Sequence, residues 1–197
     1  VKKIKFLGNL KFSESKTQKN SALNKNIEKI FKSRKIWCAV STHNGEEKIC
    51  AEAHQKLKKK YKKLLTVIIP RHVHRVNDIY KEILDMGFKV QIHSKKSKIK
   101  KDTDIYLVDT YGETKSFFKI CNTVFLGGSI VNHGGQNPLE PARFGCKILH
   151  GPNIQNFTEV YRLLNKENLS FKFYNTNQLA KSVNQSLNQN INFSKKI

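Results

Sequence analysis

From Ile36 almost to its end the sequence alternates short β-branched or aromatic runs with segments of helical period, and no other feature limits the possible folds as strongly. "IWCAVS" (36–41) and "LTVII" (65–69) read as strands, and "FKVQIH", "DIYLVD", "TVFLGG" and "KILHG" supply four more. Between the first two, Ile49, Cys50, Ala53, Leu57, Tyr61 and Leu64 are spaced along one face of a helix, while "KLKKKYKK" sets its lysines mostly on the other. Val76, Ile79, Tyr80 and Ile83 stripe the next helix, and further helices follow Gly112, Pro138 and Asn156. Units of this length mean parallel strands joined by right-handed crossovers, so the expected class is α/β, a doubly wound parallel sheet of Rossmann-like type. The 197 residues suit one domain. Residues 1–35 are polar and lysine-rich and read as a linker segment carrying a short helix in "NKNIEKIFKS", which leaves 36–197 as the domain.

Composition narrows the function classes. The longest apolar runs, such as "LLTVII" (64–69), are about six residues, far short of the roughly 20 that cross a bilayer. The start has no secretory apolar region and opens on Val, which reads as part of a longer protein. Cys38, Cys50, Cys121 and Cys146 are widely separated, so neither a disulfide framework nor a zinc site is indicated and a reducing compartment is expected. A formal charge of +22 suggests a polyanionic partner such as nucleic acid or an anionic membrane. Only five of the 37 basic residues are arginine, however, and a sequence rich in Lys, Asn and Ile is also what AT-biased coding produces.

In a doubly wound sheet ligands bind outside the carboxyl ends of the strands, so the residues just after each strand matter most. Asn44 with Glu47, Thr110 with Glu113, and Asn137 with Glu140 each have capping-box spacing, the last with Pro138 at the first helical position. Three helix N-termini on one edge would present free N–H groups and positive dipole ends, a natural phosphate site. Gly127-Gly128 and Gly134-Gly135 would let a ligand lie directly on backbone N–H groups. The pattern matches neither the dinucleotide fingerprint nor a Walker loop, and a nucleotide held by backbone and dipoles fits better. Arg71, in "PRHVHR", is placed to fork onto phosphate or carboxylate. His43, His72, His74 and His133 fall near strand ends without metal-ligand spacing, and no Ser-His-Asp or paired-carboxylate motif occurs. The chain holds a substrate more clearly than it attacks one.

"STHNGEE", "PRH", "DTYGE", "FLGGSIVNHGGQNPLEPA" and "HGPNIQNF", in this order, together with "LGNLKF" (7–12), resemble the C-terminal half of bacterial 3-deoxy-D-manno-octulosonic acid (Kdo) transferases over residues 5–165. The resemblance implies the C-terminal, donor-binding domain of a GT-B glycosyltransferase that moves Kdo from CMP-Kdo to a lipid A precursor with inversion, in lipopolysaccharide biosynthesis. It implies that Asn137 and Glu140 hold the ribose, and that Arg71 and the helix start at Gly112-Glu113 face the phosphate or the Kdo carboxylate. Ser41, Thr42, His72, Gly127, Gly128, Ser129, Gly134 and Gly135 complete the expected donor site. No catalytic residue, metal or cofactor is expected in this chain, CMP-Kdo being a substrate. The family's acceptor domain, with its general base and membrane-anchoring segment, lies outside this likeness, so the chain alone is expected to be inactive. Gln136 stands where the family usually has histidine. The implied partners are a CMP-sugar, the lipid A precursor and an anionic membrane surface, with no specific nucleic acid, at the cytoplasmic face of the inner membrane as a peripheral protein. The alternatives are a GT-B transferase using a UDP-sugar and a non-catalytic basic module for nucleic acid or membrane.

Overall fold

The computed structural model describes residues 23–94 and 99–188. "LGNLKF" (7–12) and the lysines at 95, 96 and 98 lie outside the described residues. Seven strands, β1 (Lys35–Thr42), β2 (Leu64–Pro70), β3 (Val90–Ile92), β4 (Ile105–Leu107), β5 (Thr123–Leu126), β6 (Lys147–His150) and β7 (Ser170–Lys172), form one sheet in the order β3-β4-β2-β1-β5-β6-β7. Every pairing is parallel. From β1 the chain works outward to one edge and then returns to the other side of β1 at β5. The carboxyl ends of β1 and β5 therefore flank the topological switch point, where such folds open a crevice.

The central strand shows why two layers of helix are needed. Trp37 and Ala39 point into one core and Cys38 and Val40 into the other, the period of two that strand geometry imposes. Over the Trp37 face pack α2 (Glu46–Lys58), α3 (Val76–Asp85) and α7 (Thr176–Asn188), through side chains such as Leu57, Ile83 and Val183. The opposite face is covered by α1 (Lys25–Lys32), α4 (Thr114–Phe118), α5 (Leu139–Arg143) and α6 (Thr158–Lys166), through Phe31, Phe117, Ala142 and Tyr161.

The structure departs from the sequence reading in three places. The helical stripe expected to reach Tyr61 and Leu64 stops at Lys58, because the chain must reverse there to begin a parallel strand, and Leu64 opens β2. Tyr61 instead donates its hydroxyl to Asn184 of α7 at 2.7 Å. The short helix α1 has linker-like composition, yet its Phe31 is fully buried, edge-on to Tyr106 at 5.2 Å, so it is part of the packed domain. Finally, β7 and α7 add a strand and a helix beyond the expected elements; β7 has three residues, too few to display a period.

Candidate functional site

The crevice is shaped by the way β1 ends. Ser41 takes a left-handed conformation (φ 54°) and the register with β2 shifts between Val40 and Thr42. This bulge turns Thr42 inward, where its hydroxyl donates to Glu47 Oε1 at 2.9 Å. The next turn brings Glu46, fully buried, under the loop that follows β5. Glu46 Oε2 accepts the main-chain N–H groups of His43 (2.9 Å) and Gly128 (2.7 Å), and Oε1 those of Ser129 (3.1 Å) and Ile130 (2.9 Å). Burying a carboxylate is costly unless it is fully hydrogen-bonded, and four charge-assisted bonds meet that condition. Glu46 thereby bolts the β1–α2 loop to the β5–α5 loop across the switch point.

This bolt explains Gly127 of the first glycine pair. A Cβ on Gly127 would sit against the Ser41 carbonyl oxygen, 2.6 Å from Thr42 Cα and 2.7 Å from Glu46 Oε2. The side chain is dispensed with because the chain's own backbone passes there. Gly134 differs: its φ of 78° favours glycine, and a Cβ there would meet only the Asn156 side chain, whose amide donates to the His133 carbonyl. The expectation that the N–H groups after Gly127 cradle a ligand is corrected, since those of Gly128, Ser129 and Ile130 are all engaged by Glu46. The Ser129 hydroxyl is engaged as well, donating to the Leu126 carbonyl at 2.6 Å and accepting the Gly151 N–H at 2.9 Å.

The three expected capping boxes meet different fates. At α2 the N-cap is Gly45, not Asn44, and the buried Glu47 receives the Arg75 guanidinium, Nη1 to Oε1 at 3.0 Å and Nη2 to Oε2 at 3.2 Å. At α4 Glu113 is itself the N-cap; its carboxylate accepts the Thr110 hydroxyl and lies 2.9 Å from His93 Nε2. The other ring nitrogen of His93 shares a 2.8 Å bond with the Tyr106 hydroxyl, so a partly buried relay fixes that loop. Burial pushes the Tyr106 phenol up, which keeps it neutral. At α5 the N-cap is Pro138 rather than Asn137, and Asn137 Oδ1 accepts the Leu139 N–H at 3.0 Å in a turn that leads into the helix. Glu140 reaches Lys115 of α4 at 3.7 Å with its side chain 43% exposed.

Arg71 is exposed at the end of β2, held by its main-chain N–H to the Thr42 carbonyl at 3.0 Å, and its guanidinium has no partner among the described residues. His72 is exposed beside it. Gly112 adopts φ 83° with open space where a Cβ would be, next to Tyr111, which is 71% exposed. The β1, β2 and β5 loops also meet through imidazoles: His43 stacks on His133 (ring centroids 4.1 Å apart) and stands edge-on to His72 at 6.0 Å. Burial, then His133 and His72, push the His43 imidazole below its ordinary value. Thus Ser41, Thr42, Arg71, His72 and Gly127–Ser129 are gathered at the switch point. Glu113 and Glu140 are joined instead to His93 and Lys115. Sequence reasoning missed Glu46 and Arg75 altogether and gave Glu47 the wrong partner. The adjacent acids of "GEE" were the available signal, because two consecutive carboxylates at a helix start exceed what capping needs.

A seven-stranded parallel sheet covered on both faces, with its crevice at this switch point, is the fold of the C-terminal domain of a GT-B glycosyltransferase. The C-terminal CMP-Kdo binding domain of WaaA from Acinetobacter baumannii superposes with a TM-score of 0.78 at 24% identity, covering 84% of this chain and 86% of that one. Along most of its length the chain is similar to Kdo transferases. It is 34% identical to 3-deoxy-D-manno-octulosonic acid transferase of Haemophilus influenzae over 163 residues, 82% of this chain and 38% of that protein. It is 29% identical to the Aquifex aeolicus enzyme of the same name over 187 residues, 95% of this chain and 49% of that one. The chain therefore spans less than half the length of these relatives. No family model matches it.

Proposed function

We propose that the chain is the donor-binding half of a transferase that moves Kdo from CMP-Kdo to a lipid A precursor. The observation that carries this is the sequence similarity to Kdo transferases along 82% of the chain or more. In this reading a sugar hydroxyl attacks the anomeric carbon of the donor while CMP leaves, and the hydroxyl proton passes to a base in an acceptor domain. The residues of this chain bind and orient the donor and stabilise the charge that grows on the departing phosphate. Arg71 supports that role because its planar guanidinium, exposed and without a partner among the described residues, is suited to forking onto phosphate or carboxylate oxygens. Glu140, on the α5 turn with a part-exposed carboxylate, is suited to accept ribose hydroxyls. The acceptor lipid and a peripheral place at a membrane come with this reading.

Calorimetric titration of the purified chain with CMP and with UMP tests the proposal. Binding is expected for CMP and to be weaker for UMP; preference for UMP would favour a UDP-sugar transferase instead. Glu140→Gln replaces charge-assisted hydrogen bonds by neutral ones about half as strong, so CMP affinity should fall on the order of ten-fold with the Tm without ligand nearly unchanged. Arg71→Lys should behave alike, since lysine keeps the charge and loses the fork. Unaltered CMP binding in both variants would remove these two residues from the site.

A further inference from the structure

Four imidazoles from three loops meet at the switch point. His43, from the β1–α2 loop, stacks on His133, from the β5–α5 loop, with planes 22° apart and centroids at 4.1 Å. His72, after β2, stands edge-on to His43, and His74 lies over His72 at 5.6 Å. The His43 Nε2 atom is buried and has no hydrogen-bond partner among the described residues. A buried polar atom left unpaired is unfavourable, and a partner such as an ordered water or a bound ion would relieve it. The main chain at His43 is held to Glu46, and the ring edge lies close over Gly128, where an added Cβ would be 3.3 Å from both Cδ2 and Nε2.

The charged and titratable groups that face His43 come from every loop packed on it. Glu47, on α2, favours its cation; His133, His72 and Arg75, from the β5 and β2 loops, disfavour it, and so does burial, which is the largest influence. Glu47 is already forked by Arg75, so little of its charge is left to offset the others. The net result is an imidazole held below its ordinary value, neutral at pH 7, with an unpartnered nitrogen.

We propose that the His43–His133 stack, with His72 beside it, is a proton-coupled anion site that takes up one proton when a phosphate-class anion enters the crevice. An anionic oxygen within hydrogen-bond reach of Nε2 supplies the missing partner and an opposite charge, and both favour the imidazolium. Two stacked cations so close together would repel strongly, so the pair takes up one proton rather than two. The proposal rests on the donor-site reading for the nucleotide, and it adds that donor affinity is linked to pH through this stack.

The test is calorimetric titration of the full 197-residue chain at pH 7.5 with CMP, and separately with inorganic phosphate, in buffers of different ionisation enthalpy. Comparison with His43→Asn removes the proton exchanged by the ligand itself. Wild type should take up close to one proton more than the variant, and its affinity should fall by up to about ten-fold per pH unit above the imidazole range. Equal proton numbers in wild type and variant, with CMP still bound, overturn the inference and leave the donor reading standing. Proton-coupled binding of inorganic phosphate without any binding of CMP supports the anion site and overturns the donor reading. The ring-carbon resonance of His43 in wild type decides the matter without a variant: it should move toward the imidazolium position when CMP is added, and an unmoved resonance overturns the proposal.

Discussion

At the scale of single residues, Glu46 governs the geometry of the crevice. Truncation to Ala leaves four main-chain donors facing a cavity, and hydrogen bonds to a buried charge are each worth about 1.5–3 kcal/mol. Even with relaxation, Glu46→Ala should destabilise the fold by at least about 3 kcal/mol in denaturant unfolding. A loss below about 1 kcal/mol would show that the two loops are joined by other means. Gly127 and Gly112 form a useful contrast. Gly127→Ala forces a methyl into the Ser41–Thr42 backbone and should cost more than about 2 kcal/mol. Gly112→Ala meets open space and bears only the strain of its left-handed φ, about 1 kcal/mol. Equal losses in the two variants would mean that the Ser41–Thr42 backbone does not exclude a side chain at Gly127.

At the scale of elements, the lower edge of the sheet is held by one arginine. Arg34, in the turn before β1, donates to the carbonyls of Lys63 (3.2 Å), Leu64 (2.5 Å) and Thr103 (2.6 Å), and so clasps the turns that precede β2 and β4. Burial alone would raise the Asp104 carboxyl, but His54, Lys58 and the Lys89 N–H together hold it below the usual carboxylate range. The helix α1 leads into this clasp, and its anchor is Phe31, fully buried among Tyr106 and Phe117. Phe31→Ala should therefore cost about 3–5 kcal/mol, the penalty of a core cavity. A value near zero in thermal or denaturant unfolding would mean that α1 is an appendage.

At the scale of the whole molecule, charge and titration are distributed unevenly. All strands are parallel, so the turns before them share one edge, and that edge carries the exposed Lys59, Lys60, Lys62, Lys63, Lys100 and Lys101, opposite the crevice. If this edge adheres to anionic headgroups, vesicle binding should require anionic lipid and fade as salt shortens the Debye length from about 10 Å at 0.1 M to about 3 Å at 1 M. Equal binding to neutral vesicles would argue against it. No helix among the described residues is long and apolar enough to cross a membrane. Acid should weaken the fold. Burial lowers the imidazoles of His43, His54 and His150, so each favours the folded state above the ordinary histidine range of about 6.5 and ceases to do so as pH falls through its depressed value. Asp104 acts in the same direction at lower pH, above and through its own depressed value. The unfolding midpoint should thus be lower at pH 5 than at pH 7.5, and a midpoint that rises on acidification would refute this.

The sequence by itself determined six of the seven strands and the α/β class. Runs such as "IWCAVS" and "LTVII" and the helical stripe of Val76, Ile79 and Ile83 follow local periods, whereas β7 and α7 went unread. It also determined the edge that carries the crevice, since parallel crossovers leave no choice. What only the tertiary structure decided is the use made of each polar group there. "GEE" and the glycine pairs look like a cap and a ligand cradle, but Glu46 meets Gly128, Ser129 and Ile130 across more than 80 residues of chain. The stacking of His43 on His133 and the fork of Arg75 on Glu47 likewise join loops from different strands. Hydrogen bonding and ring stacking act over a few ångströms of space, whereas sequence patterns report only neighbours along the chain. Contacts between loops that the sheet brings together therefore leave no period to read.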